Sequence, residues 1–363
     1  VNYLMGGSPI LPDSAGVNIP VDMSMAFHTD AGLTEGDDVI GTMGIIYSKQ
    51  NNGKYLNGLP RAKSTELAKL ITGQIVDDIR AKWHPYWESR PLRDQKYYES
   101  RVPEVPSVLL ELLSHQKFSD MQYGLDPRFR FTVCRSIYPA MAHFQAQREG
   151  RKCVVQPLPV QEFAIRRTSD SQFVLEWKAR YDSLTPGGAL PKKYIVQERK
   201  EGEFWWNELK VITDRELTIT IKDNKIHSYR VIAANEGGKS FPSEILSLGV
   251  PENSLGTVMV VNAFDRVSGP ESFVDGGKAG FRGSNILGVP YLRDISYTGT
   301  QIDFIRAHEF VSDDKPGFGW SRANYETQIL AGNTFDYPLI HGMSIMQAGY
   351  AFVSASRAAV ESG

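Results

Sequence analysis

The hydrophobic pattern of this chain changes character at a proline-punctuated stretch, Gln-Pro-Leu-Pro-Val at 156–160. Before it, apolar strand-like runs alternate with stretches of helical period. After it come short β-rich runs separated by turns. Neither pattern can be laid onto the elements the other requires, so the chain must hold at least two domains of different class. Its 363 residues agree with two or three domains at roughly 100–200 residues each.

In the first segment, 1–156, the runs at 21–28 and 41–48 read as strands. A helix follows over 64–83, where Leu67, Leu70, Ile71, Ile75, Ile79 and Trp83 recur on one face and Ser64 is placed to cap the start. Residues 106–114, Pro-Ser-Val-Leu-Leu-Glu-Leu-Leu-Ser, form a short apolar run of the buried-strand kind. A second helix is expected over 127–147, interrupted or kinked at Pro139. This alternation predicts an α/β layer.

Segment 157–251 holds runs at 163–168, 172–179, 192–200, 216–222, 227–235 and 244–250. Short strands at this density predict an all-β sandwich with Trp177 and Tyr229 as core aromatics. The pair Trp205–Trp206 reads either as an exposed ligand-binding pair or as one core ring and one rim ring. A turn-rich joint at 249–256 precedes the third segment, 252–363, which opens on a buried-type strand at 257–265 and predicts a further α/β domain. The expected fold class is therefore multidomain, α/β plus all-β.

Composition narrows the function classes. Hydrophobic residues are 41% of the chain, enough to offset the entropy of ordering. Lys+Arg is 40 against Asp+Glu 42, a net charge of −2 with no basic tract, so a nucleic-acid partner is disfavoured. No run reaches the ~18 apolar residues of a transmembrane segment. Cys134 and Cys153 are too few for a disulfide framework, and leave two free thiols or one pairing open. The chain starts at Val1 without a leader and stops just after a helix-like small-residue stretch, so it is expected to be a piece of a longer protein.

Two residues in the first segment could carry chemistry. His28 ends a strand-like run, where α/β sheets place ligands. Glu111 sits inside an apolar strand, where a carboxylate must find a partner or stay protonated. It reads as a general acid or base, or as a glutamate paired with an arginine such as Arg101.

The order Ala-Phe-His-Thr-Asp-Ala-Gly (26–32), helix, then Val-Pro-Ser-Val-Leu-Leu-Glu-Leu-Leu-Ser-His (105–115) resembles zinc-dependent N-acetylmuramoyl-L-alanine amidases. The resemblance covers about residues 1–147, the later part of such a domain. It implies that His28 is a zinc ligand and that Glu111 activates the metal-bound water for attack on an amide carbonyl. The family draws its other two ligands, a histidine and a glutamate, from upstream. None of His84, His115 and His143 sits in a matching Gly-His-Gly-Gly-type element, and His115 reads as structural. Zinc is thus expected in the intact parent, with this piece itself inactive.

The middle segment resembles a fibronectin type III module. The resemblance is carried by 173–179, 194–202 and 228–244, with Tyr229, Val231, Ala233, Asn235, Gly238, Ser240 and Ser243 in the pattern of its later strands. Such modules space domains or bind partners.

In the third segment Trp320, Arg322, Asn333, Asp336 and His341 fall in glycine- and aromatic-rich stretches. They read as a glycan-binding crevice, or as residues that hold loop geometry. The three-part order also resembles long secreted bacterial proteins labelled xanthan lyases, although no base and charge-neutralising pair for lyase chemistry is visible. The resulting expectation is a secreted, periplasmic or cell-surface protein. Its partner would be peptidoglycan or another glycan, and its first domain an amidase-type hydrolase. The rival is a non-catalytic glycan-binding scaffold with a degenerate amidase layer.

Overall fold

The computed structural model describes residues 1–7, 15–32, 38–263, 271–275, 278–282 and 336–363. They fall into two compact units, one built on residues up to Lys152 and the other beginning at Cys153.

In the first unit the elements are α1 (Asn2–Met5), β1 (Ser24–Asp30), β2 (Met43–Ile46), α2 (Ala62–Lys82), β3 (Arg93–Asp94), α3 (Tyr98–Arg101), β4 (Ser107–Ser114), α4 (Phe118–Gly124) and α5 (Pro127–Arg148). The strands form one sheet in the order β1-β4-β2-β3. β1 runs parallel to β4, β4 antiparallel to β2, and β2 parallel to β3. Leu67, Ile71, Ile75 and Ile79 of α2 are fully buried against Val108 and Leu110 of β4 and Phe129, Val133 and Phe144 of α5. Met43, Ile45 and Leu109 form a smaller apolar cluster. β4 is thus buried along nearly its whole length, which is why it reads as a continuous apolar run.

Two local expectations are corrected. α2 begins two residues before Ser64, and Ser64 does not cap it. Its hydroxyl instead meets the Tyr55 hydroxyl at 2.6 Å and accepts from the Ser107 amide at 2.8 Å, tying the helix to β4. α5 is not interrupted at Pro139. It runs unbroken from Pro127, with the Asp126 carboxylate capping its start by accepting from the Arg128 amide at 2.8 Å.

The second unit contains β5 (Gln161–Arg167), β6 (Gln172–Lys178), β7 (Lys193–Lys200), β8 (Asn207–Ile212), β9 (Glu216–Thr220), β10 (His227–Asn235), β11 (Gly238–Lys239), β12 (Leu246–Leu248) and β13 (Thr257–Asn262). The hairpin β14 (Glu271–Asp275) and β15 (Lys278–Arg282) groups with the first unit. The chain then supplies α6 (Tyr337–Gln347), β16 (Ala351–Ser356) and α7 (Arg357–Ser362) to the second.

One sheet runs β13-β16-β5-β6-β9 and the other β11-β10-β7-β8, with β12 also paired to β10. Between them lie Phe163, Phe173, Leu175, Trp177, Tyr194, Val196, Tyr229, Val231 and Leu246, the filling of a β-sandwich. Trp177 and Tyr229 are both in this core.

β13 and β16, which the sequence assigns to a separate third domain, pair in parallel, and β16 joins the sandwich by antiparallel pairing to β5. The physical reason is visible in β16. All six of its residues are buried, Val353 belongs to the sandwich core, and Ser354 exchanges hydrogen bonds with Ser247 at 2.7 Å. α6 covers β16 closely enough that a Cβ on Gly342 would overlap the Phe352 ring.

Candidate functional site

Parallel pairing of β1 with β4 sets His28 directly opposite Glu111. Neighbouring strands lie about 4.8 Å apart, so both side chains start from the same short stretch of one sheet face. Asp30 follows His28 by two positions; the register with β4 shifts between them, and Asp30 stays close enough for its charge to act on Glu111. Two groups from outside these strands complete the cluster. Glu99 of α3 brings Oε1 to 3.7 Å from His28 Nε2. Arg90 donates from Nη2 to Asp30 Oδ2 at 2.8 Å. Thr29, between His28 and Asp30, alternates to the other face; its Oγ1 shares a hydrogen bond with His115 Nδ1 at 3.2 Å, and the His115 amide donates to the Asp30 carbonyl at 3.0 Å. His115 thereby joins the ends of β1 and β4.

Glu111 is the electrostatically unusual member. Burial raises its carboxyl above the ordinary carboxylate range, and the neighbouring Asp30 charge pushes the same way. His28 and Arg90 oppose that shift without cancelling it. Its Oε2 is buried with no hydrogen-bond partner. The arginine within electrostatic reach is Arg90, not Arg101, whose guanidinium lies over the Tyr98 ring at 5.8 Å. A half-buried carboxyl held toward its acid form, beside a partly exposed histidine, is suited to take up and return a proton.

The backbone behind the cluster is fixed by buried polar groups. Asp120 accepts from the Ile40 amide at 3.0 Å and the Ser114 amide at 2.7 Å. Thr42 donates to the Leu112 carbonyl and accepts from Trp87 Nε1, both at 2.9 Å.

Among the described residues, no group of three or more His, Cys, Asp or Glu side chains is placed to hold a metal ion. A catalytic zinc takes three protein ligands and a water, and His28 with Glu99 makes only one pair. The described residues do not by themselves fit zinc. Cys134 and Cys153 are not joined in a disulfide.

Of the third-segment candidates, Trp320, Arg322 and Asn333 lie outside the described residues. Asp336 precedes α6 and pairs with Arg199 of β7 at 3.0 Å. His341 stacks on Tyr337 one turn away, with ring centroids 6.5 Å apart.

The sequence marks His28 and Glu111 but not Asp30, Arg90 or Glu99 as one cluster. Strand alternation from His28 points to Asp30. Nothing local announces Arg90 and Glu99, which come from the loop after α2 and from a one-turn helix.

No family model matches the chain. Solved structures similar to it include titin domains A168–A170, at 24% identity over 25% of this chain and 30% of that one, TM-score 0.22. Another is the fibronectin type III domain of human fibronectin type III domain containing protein 3, at 22% identity over 26% of this chain and 85% of that one, TM-score 0.23. The twitchin kinase region from C. elegans is similar at 23% identity over 28% of this chain, TM-score 0.23. The chain spans less than a third of the titin and twitchin structures, 30% and 21% of their lengths. No helix among the described residues is long and apolar enough to cross a membrane.

Proposed function

We infer that the first unit is a hydrolase layer acting on an acyl amide of a glycan-linked peptide, as N-acetylmuramoyl-L-alanine amidases do. The observation that carries this reading is the register of His28 opposite Glu111, with the Glu111 carboxyl raised by burial. Glu111 would take the proton of the attacking water and return it to the departing amine. His28 lies beside it at the strand edge, the position of a ligand or a second proton carrier. Arg90 holds Asp30 and tempers the negative charge around Glu111. A zinc ion in this setting would require further ligands beyond the described residues. The sandwich is read as a fibronectin type III module that spaces or presents the catalytic layer at the cell envelope. Its own core, built on Trp177, Tyr194 and Tyr229, supports that reading.

The test compares this chain with an N-terminally extended one, after dialysis at neutral pH. The extended chain is expected to retain one zinc and to cleave N-acetylmuramoyl-L-alanine. Glu111→Gln in it should keep the metal and lower turnover by about 10²–10⁴-fold. Zinc in neither chain, or turnover that survives Glu111→Gln, overturns the reading.

A further inference from the structure

The loop from β7 to β8 reads Glu-Gly-Glu-Phe-Trp-Trp over 201–206. Phe204 and Trp205 are 78% and 76% exposed. Their rings meet nearly at right angles, with centroids 4.8 Å apart and planes at 86°. Trp206 is used differently. It lies between the guanidinium groups of Arg199 and Arg230, at 4.7 and 4.3 Å, and anchors the loop to the sheet. With that anchor in place, Phe204 and Trp205 contribute little to the sandwich core. Two adjacent aromatic rings this exposed mark an interaction surface rather than packing.

The loop itself carries charge of one sign. Glu201 and Glu203 are in the loop, Glu208 is at the start of β8, and residues 201–208 contain no basic residue. Lys210 lies two residues beyond Glu208 on β8, and three bases beside the loop have partners. Lys200 pairs with Asp223 at 3.3 Å, Arg199 with Asp336 at 3.0 Å, and Arg230 donates to Gln197 at 2.7 Å. Backbone and amide donors orient two of the acids without neutralising them. Glu203 accepts from the Lys200 amide at 3.1 Å and Asn207 Nδ2 at 3.3 Å, and Glu201 accepts from the Ile226 amide at 3.3 Å.

An aromatic face presents negative electrostatic potential, and the three carboxylates add to it. The ligand that satisfies both is a cation carried on an apolar stem. A neutral sugar would stack on the rings and donate hydroxyls to the carboxylates but leave their charge uncompensated, and an anionic surface would be repelled.

We propose that the Phe204–Trp205 corner, with Glu201, Glu203 and Glu208, binds lysine side chains of a cationic peptide segment on a partner protein. The proposal is independent of the hydrolase reading, because it uses only the sandwich.

Its test follows the Trp205 indole N–H resonance of the full chain during titration with pentalysine, then pentaglutamate, then chitotetraose. Pentalysine alone is expected to give a saturable shift, with Kd rising from 50 to 500 mM salt. Phe204→Ala and Trp205→Ala, read by calorimetry, should each weaken pentalysine binding by about 2–5-fold. Both rings are exposed, so thermal stability should be unchanged. Three results overturn the proposal. They are no shift with pentalysine, an equal response to pentaglutamate or chitotetraose, and pentalysine binding undiminished in the doubly substituted chain.

Discussion

His227 is 3% exposed and is hydrogen-bonded through both ring nitrogens, with Glu198 at 2.9 Å and with Asp223 at 2.7 Å. The Tyr229 hydroxyl donates to the same Glu198 oxygen at 2.7 Å. Burial pulls the imidazole pKa down, but the two hydrogen-bonded carboxylates outweigh it and leave the pKa raised from 6.5. Its hydrogen bond with His227 brings Asp223 down from 3.8 to about 2. The signs differ. The histidine's contribution is complete below pH 6.5 and is lost as pH rises through its raised folded value. That of Asp223 is complete above pH 3.8 and is lost as pH falls toward 2. The second unit's melting temperature should therefore be highest between those limits and fall on either side. His227→Gln should lower the plateau and flatten the alkaline limb, and an unchanged limb would remove His227 from that role. Little of this network was legible in the sequence, because its members come from β7, β10 and the loop after β9. Glu111 was legible, because a carboxylate inside an apolar run conflicts with its surroundings whatever the fold.

At the level of elements, α6 and β16 show how a glycine can set a packing distance. Gly342→Ala would drive a methyl group into the Phe352 ring, and overpacking of this kind costs about 1–3 kcal/mol. Urea unfolding should show that loss, and Phe352→Leu in the same chain should recover part of it by opening space. Equal losses in the single and double variants would mean that the ring is not what the methyl meets. α2 is readable because Leu67, Ile71, Ile75 and Ile79 repeat at the helical period and all are buried, whereas α1, α3 and α4 are too short to show that period. Ser64 satisfies the capping pattern as any serine near a helix start does, while its tertiary partners Tyr55 and Ser107 are invisible in local sequence. The stretch 353–363 reads as a helix from sequence, yet its first four residues belong to β16 and the helix begins at Arg357. Ala351–Ser356 is short and rich in small residues, and only its neighbours on both sides make it a buried strand.

For the molecule as a whole, the sandwich is not contained in the segment whose β texture announces it. Residues 157–251 hold β5 through β12, yet β5 has β16 as its neighbour and Val353 fills part of the core. A chain cut after residue 251 should therefore melt lower than the sandwich within the full chain and should self-associate through the uncovered edge of β5. Equal melting temperatures and a monomeric cut chain would show that β13 and β16 are dispensable additions. The pairing of Ala164 with Ala355 spans about 190 residues of chain. At 5–20 residues per second a ribosome takes on the order of ten to forty seconds to make that much polypeptide. Throughout that interval the edge of β5 is a template without its native complement, so the growing chain depends on binding factors, or on the speed of its own synthesis, to keep that edge from a neighbour.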